Sequence, residues 1–210
     1  MIAELRAAQL PKPLQKMAIH LYFNFHLENE VERWELWQSK NAFEKITNNL
    51  SANSKFSNGY IYKNLKMPLE GVGGGDSFGI RAWSGNEALK IYQSTCLLAQ
   101  TYRYRNHSRA RPGPNSNTFI ASILKASELE VSLPATAIGK DFLGIYPKIK
   151  IQQNNIHINI FTAGLKMVKN SFWELHFASL TIGYEKNCRE WKLPYGKGIF
   201  PHTFHEKNTK

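Results

Sequence analysis

Residues 19–27, IHLYFNFHL, constrain this chain more than any other stretch. Ile19, Leu21, Phe23, Phe25 and Leu27 alternate strictly with His20, Tyr22, Asn24 and His26, the two-residue period of a β-strand with one buried face. All four polar groups share the opposite face. The acidic stretch Glu28-Asn29-Glu30 interrupts the apolar pattern and turns the chain into a second strand, VERWELW, so a hairpin is expected. At 210 residues and 42% hydrophobic content, the chain can bury a substantial core around that hairpin. One domain over 1–210 is the expectation, with 1–16 as an N-terminal extension and 201–210 as a frayed tail.

Residues 38–58 are polar and Asn/Ser-rich, and read as a surface excursion with at most a short helix. Gly59 to Leu65 reads as a further strand. The glycine-rich EGVGGGDSFG, 70–79, has neither the GxxxxGK[ST] spacing of a P-loop nor a GxGxxG turn opening a helix, so a loop or lid is expected. A helix follows from Ser84, with Ser84 and Glu87 spaced as a capping box and Trp83 and Ala88 as its hydrophobic staple. Leu89, Tyr92, Cys96 and Ala99 would line its buried face. Toward the C-terminus, KIKIQQNNIHINIF reads as a hairpin about an Asn-Asn turn, and FWELHFASLTIGYE as two strands broken near Ala178 to Ser179.

The formal net charge is +11, which favours polyanions: nucleic acid, anionic lipid headgroups or acidic partners. Arg103, Arg105, Arg109 and Arg111 are interleaved with Tyr102, Tyr104 and His107, a pattern that can stack bases and neutralise phosphates. No RNA-recognition signature accompanies it, and a connector with solvated arginines explains the same residues. The stretch could equally bind one anionic substrate group. Cys96 and Cys188 form no CxxC pair. His202 and His205 are spaced H-x-x-H in the polar tail, and His157 and His176 lie on different strands, so neither a metal nor a cofactor is expected. No apolar run approaches a membrane span, and the N-terminus has no apolar signal-peptide core. A soluble protein is expected, cytoplasmic or exported without a visible leader.

In RPGPNSNTFIASIL, 111–124, Pro112 and Pro114 forbid helix before them, while Asn115, Ser116 and Asn117 are all able caps. A helix therefore starts there, with Phe119, Ile120, Ile123 and Leu124 as its buried stripe and Ser116 on the same inward side. At such a helix start, free N–H groups and the positive dipole end can stabilise an oxyanion. A plain cap accounts for the same residues.

PGPNSNTF, with LPATAIGKDFL at 133–143 and SLTIGYE at 179–185, resembles a bacterial family of uncharacterised function. Its members share an H-x-[WY] strand, matched by His20 and Tyr22, and an R-[YW]-E-[VL] segment, matched by Arg33 to Leu36. The resemblance runs roughly from His20 to Gly198. More remotely, a histidine on an early strand followed by N-x-N-x-F at a helix start is similar to the permuted papain-like superfamily of cell-wall amidases, peptidases and lecithin:retinol-type acyltransferases.

That resemblance implies a nucleophile at Ser116, where the superfamily has cysteine, with His20 as its base. Serine must lose its proton during attack and so depends on an aligned base. Asp141, inside the GKDF motif, is the expected orienter of the imidazole, with Asn24 as an alternative; His107 is an alternative base. Asn115 and Asn117 are candidates for oxyanion binding or positioning. Arg105, Arg109, Arg111, Tyr22 and His107 are candidates for substrate or anion binding.

The expected fold is α+β: a mainly antiparallel sheet with two principal helices packed on it, of permuted papain-like architecture if the remote resemblance holds. The expected function is a hydrolase or acyl/amide transferase acting on a small-molecule, lipid or peptide substrate. The rival is a non-catalytic binding protein whose basic surface holds a lipid headgroup, a protein or, with least support, nucleic acid.

Overall fold

The computed structural model describes residues 1–37, 56–58, 60–110, 113–142, 147–160, 162–177 and 180–194. Of the surface excursion expected at 38–58, residues 38–55 lie outside the described residues, as do Arg111 and Pro112, the break at Ala178 to Ser179 and the histidines of the tail, while Phe56–Asn58 form a short strand instead.

The fold is α+β, with two antiparallel six-stranded sheets and two principal helices among the described residues. The first sheet comprises β1 (Ile2–Gln9), β2 (Ile19–His26), β3 (Val31–Leu36), β4 (Phe56–Asn58), β5 (Ile61–Lys63) and β6 (Ser77–Ser84), in the order β4-β5-β3-β2-β1-β6. The expected β2–β3 hairpin forms, with Phe23 opposite Trp34 and Asn24 opposite Arg33. Residues 2–9, read from sequence as part of an extension, instead form β1 between β2 and β6.

Helices α1 (Gly85–Thr101) and α2 (Ser116–Ala126) cover one face of this sheet. Leu5, Leu21, Phe23, Phe25 and Leu36 from the strands are sealed against Ile91, Phe119 and Ile123 from the helices. Burying each such side chain contributes about 1.5–3 kcal/mol, so this layer is the main source of stability. Ser84 precedes α1 as its N-cap residue, but its side chain makes no capping bond. The buried face of α1 is Ala88, Ile91, Thr95 and Ala99, while Leu89 is exposed. Of the expected stripe, Ala99 is buried and Tyr92 and Cys96 pack partly buried against the core, so Leu89 alone is displaced from it. The capping box belongs to α2: the Asn115 side chain accepts from Thr118 N, and Thr118 Oγ1 accepts from Asn115 N.

The second sheet is a meander of β7 (Lys148–Gln152), β8 (Asn155–Ile160), β9 (Ala163–Val168), β10 (Phe172–Phe177), β11 (Leu180–Glu185) and β12 (Glu190–Lys192), each strand paired with the next. Gln152 pairs with Asn155, so the first hairpin turns at 153–154, one residue before the Asn-Asn pair. Its polar face meets residues 130–142. Lys140 Nζ lies 2.5 Å from Glu174 and 2.8 Å from Asp141, and Lys192 Nζ lies 2.6 Å from Glu174. Lys192 also donates to the Leu133 carbonyl at 3.2 Å.

Candidate functional site

The polar side of β2 is buried, contrary to a strand with one wet face. Tyr22 and Asn24 are fully covered, and His20 is 6% exposed. β3 contributes Arg33 and Glu35 to the same side, because Tyr22 stands opposite Glu35 in the extended register and Asn24 opposite Arg33. Residues 66–70 cross over this layer and close it with main-chain carbonyls. Pro68 O accepts from Tyr22 Oη at 3.0 Å and from Asn24 Nδ2 at 2.9 Å. Met67 O and Glu70 O accept from Arg33 Nη1 at 2.9 and 2.7 Å.

Beneath that cover, His20, Glu35 and Arg33 form a chain of charge. His20 Nε2 lies 2.8 Å from Glu35 Oε2, which also accepts from Arg33 Nη2 at 2.9 Å. Arg33 Nε approaches Glu35 Oε1 at 2.9 Å as an ion pair whose angle falls short of a hydrogen bond. The guanidinium stacks over the Tyr22 ring at 3.8 Å. Burial acts to raise the Glu35 pKa, but the His20 hydrogen bond and the Arg33 and His20 charges outweigh it, and the carboxyl is held below its ordinary range. An ionised Glu35 accepts only, so His20 carries its proton on Nε2 and presents an unprotonated Nδ1 when neutral. That nitrogen makes no hydrogen bond among the described residues. The edge of the Trp37 ring packs against the imidazole, with centroids 5.2 Å apart.

The start of α2 is fastened to the same strand. Asn117 Oδ1 accepts from Leu21 N at 2.9 Å, and its Nδ2 donates to Ile19 O at 2.9 Å. The amide thus pairs with β2 as a strand residue would, bonding to the main chain on both sides of His20. Asn117 Nδ2 and Asn115 Nδ2 each donate to Ile138 O at 2.9 Å, and Thr118 Oγ1 donates to Gly139 O at 2.6 Å. Gly139 has φ +87°, and a Cβ there would run into the Asn115 amide, so glycine is required. Two of the sequence motifs therefore lock one another: PGPNSNTF supplies the donors and TAIGK the carbonyls.

Ser116 is the first residue of α2 and 5% exposed. Among the described residues neither its hydroxyl nor its N–H has a hydrogen-bond partner, whereas the Asn117 and Thr118 N–H groups are taken by Asn115. Asn115 and Asn117 have both amide groups committed to backbone. The structure thus brings His20, Asn117 and the first turn of α2 together through backbone contacts, with no hydrogen bond between Ser116 and His20 among the described residues.

The remaining candidates lie elsewhere. Asp141 is not a partner of His20: it pairs with Lys140 and accepts from Thr181 Oγ1 at 3.3 Å, beneath the second sheet. Asn24 is turned to Pro68. Tyr22 is sealed under Arg33, away from any free anion. His107 and Arg109 are exposed, and Arg109 N donates to Pro114 O at 2.7 Å. Arg105 Nη1 donates to Gln100 O at 3.3 Å. Sequence reasoning passed over Glu35, although its signal was present: Arg33 and Glu35 alternate with Trp34 and Leu36, and the hairpin register brings that polar side beside His20. Among the described residues no group of three or more His, Cys, Asp or Glu could hold a metal ion, and no helix is long and apolar enough to cross a membrane.

No curated protein and no solved structure matches the chain. A family profile does, over residues 1–142, the part containing the first sheet, both helices and the segment that follows them. The His20 layer, the α2 start and the TAIGK carbonyls all fall inside this match, and the second sheet falls outside it. By that match the chain belongs to DUF3750, a family of proteins of unknown function.

Proposed function

We propose that the chain is a hydrolase or acyl/amide transferase that uses Ser116 as nucleophile, His20 as general base and Glu35 as the orienter of His20. The observation that carries this reading is the His20–Glu35–Arg33 array, which fixes one imidazole nitrogen and leaves the other as an acceptor. The Asn117 contacts flanking His20 support it, because they tie the helix bearing Ser116 to the strand bearing the base.

In this reaction the Ser116 hydroxyl adds to an ester or amide carbonyl as its proton passes to His20 Nδ1. The Ser116 N–H, reinforced by the positive end of α2, stabilises the oxyanion. The imidazolium then protonates the leaving alcohol or amine as the bond to it breaks. Water or a second nucleophile releases the acyl group from Ser116. Glu35 stays ionised throughout and holds the imidazole in one tautomer, as the acid of a serine triad does.

The test is labelling by a fluorophosphonate probe with peptide mass spectrometry on wild type, Ser116→Ala, His20→Ala and Glu35→Gln. Labelling at Ser116 that is lost in His20→Ala and reduced in Glu35→Gln is expected. A second variant, Ser116→Cys, gives an independent readout. With His20 as its partner the thiol alkylates with iodoacetamide well below neutral pH, whereas an isolated thiol follows a pKa of about 8.5. Absent labelling together with ordinary thiol behaviour overturns the catalytic reading in favour of a binding protein.

A further inference from the structure

The second sheet is inside out. Its polar face lies on the rest of the protein, and the opposite face is apolar across all six strands. Ile149, Ile151, Leu175, Phe177, Ile182 and Trp191 are 46–73% exposed. The registers put them on one side: Ile149 pairs with Ile158, Leu175 with Leu165 and Ile182, and Trp191 with Tyr184. Large contiguous apolar surface of this kind marks an interaction site.

Charge and aromatic placement point to the occupant. In a meander the turns at 153–154, 169–171 and 186–189 share one end of the sheet. They carry exposed Lys169, Lys186 and Arg189, while Glu185 and Glu190, which bracket the last turn, lie on the opposite, polar face. Beside these turns, on the apolar face, Trp173, Tyr184 and Trp191 form a cluster, with ring centroids 5.9 and 5.4 Å apart. Tryptophan and tyrosine favour the headgroup level of a bilayer, and basic side chains next to them favour anionic headgroups. A net charge of +11 opposes stacking of two copies and favours an anionic surface. Among the described residues β7 and β12 are unpaired edges, and open edges are not tolerated within the hydrocarbon, so the face would lie on a bilayer without spanning it.

We infer that the apolar face of the second sheet docks on the surface of an anionic phospholipid bilayer, with Lys169, Lys186 and Arg189 at the headgroups. The test uses the full chain and vesicles of phosphatidylcholine with phosphatidylglycerol in equal parts, and of phosphatidylcholine alone. Co-flotation and tryptophan emission are measured for wild type, for Ile151→Ser with Phe177→Ser, and for Lys169→Glu with Lys186→Glu and Arg189→Glu. The expected result is partition onto the anionic vesicles with a blue-shifted emission, weakened at least about tenfold by either set of changes. All the substituted side chains are exposed, so the variants keep the fold. Absence of partition overturns the inference, as does partition indifferent to the apolar changes. A dimer in light scattering that Phe177→Ser dissociates, with no partition, assigns the face to a second copy and also overturns it.

Discussion

Asn117 does with one side chain what a strand does with its main chain, and its removal leaves Leu21 N and Ile19 O beside His20 without these partners. Asn117→Ala is therefore expected to cost about 2–3 kcal/mol, read by urea denaturation. Gly139→Ala forces a methyl into the Asn115 amide at a positive φ. The expected cost is about 2–4 kcal/mol in the same assay, with loss of Ser116 labelling, because Asn115 can no longer hold the first turn of α2. Pattern reading located the helix start correctly, yet it could not say what the asparagines bond to. Asn115 reaches residue 138 and Asn117 reaches residues 19, 21 and 138, separations that no local spacing encodes.

Among the elements, the β2–β3 hairpin was the most legible, because large apolar residues mark every second position. β1 was missed for the opposite reason: its inward positions include Ala3 and Ala7, whose alternation with Glu4 and Arg6 carries little hydropathic contrast. In α1 the expected stripe holds at Ala99 and in part at Tyr92 and Cys96, while Leu89 is exposed and the small Ala88 and Thr95 pack beside Ile91 instead. The polar layer between β2 and β3 has a stability signature of its own. Arg33→Ala leaves Glu35 without one of its two buried partners and is expected to cost about 3–5 kcal/mol, while Arg33→Met with Glu35→Leu costs less than the single change. Because the Glu35 carboxyl is held below its ordinary range in the folded chain, its contribution is complete above that range and is lost as pH falls through the lowered value. An acid titration followed by circular dichroism checks this, with the double variant showing the flatter profile.

Across the whole molecule, the two sheets meet through residues 130–142, and that junction is sensitive to pH. Burial pulls His157 down from 6.5 to about 4, and neighbouring Lys166 and His176 oppose the help it gets from Asp141. Its folded form binds fewer protons than the unfolded chain between those values, so stability falls as pH drops from 6.5 toward 4. The expected loss is of the order of 2 kcal/mol, and His157→Gln should flatten that part of the pH–stability curve. The inversion of the second sheet was hidden from sequence because alternation reports two faces without saying which one turns inward; only Lys140, Glu174 and Lys192 meeting at one point decides it. The segment 133–142 looks both ways. Its carbonyls at Thr136, Ile138 and Gly139 hold β2 and α2, and its Lys140 and Asp141 side chains hold the second sheet. Lys140 follows Gly139 directly, so a tilt of the second sheet that pulls on Glu174 is felt one peptide away at the carbonyl anchoring Thr118. The segment is thus a shared fastening of the outer sheet and the helix start that bears Ser116, with its own single glycine at the point where a side chain would strike Asn115.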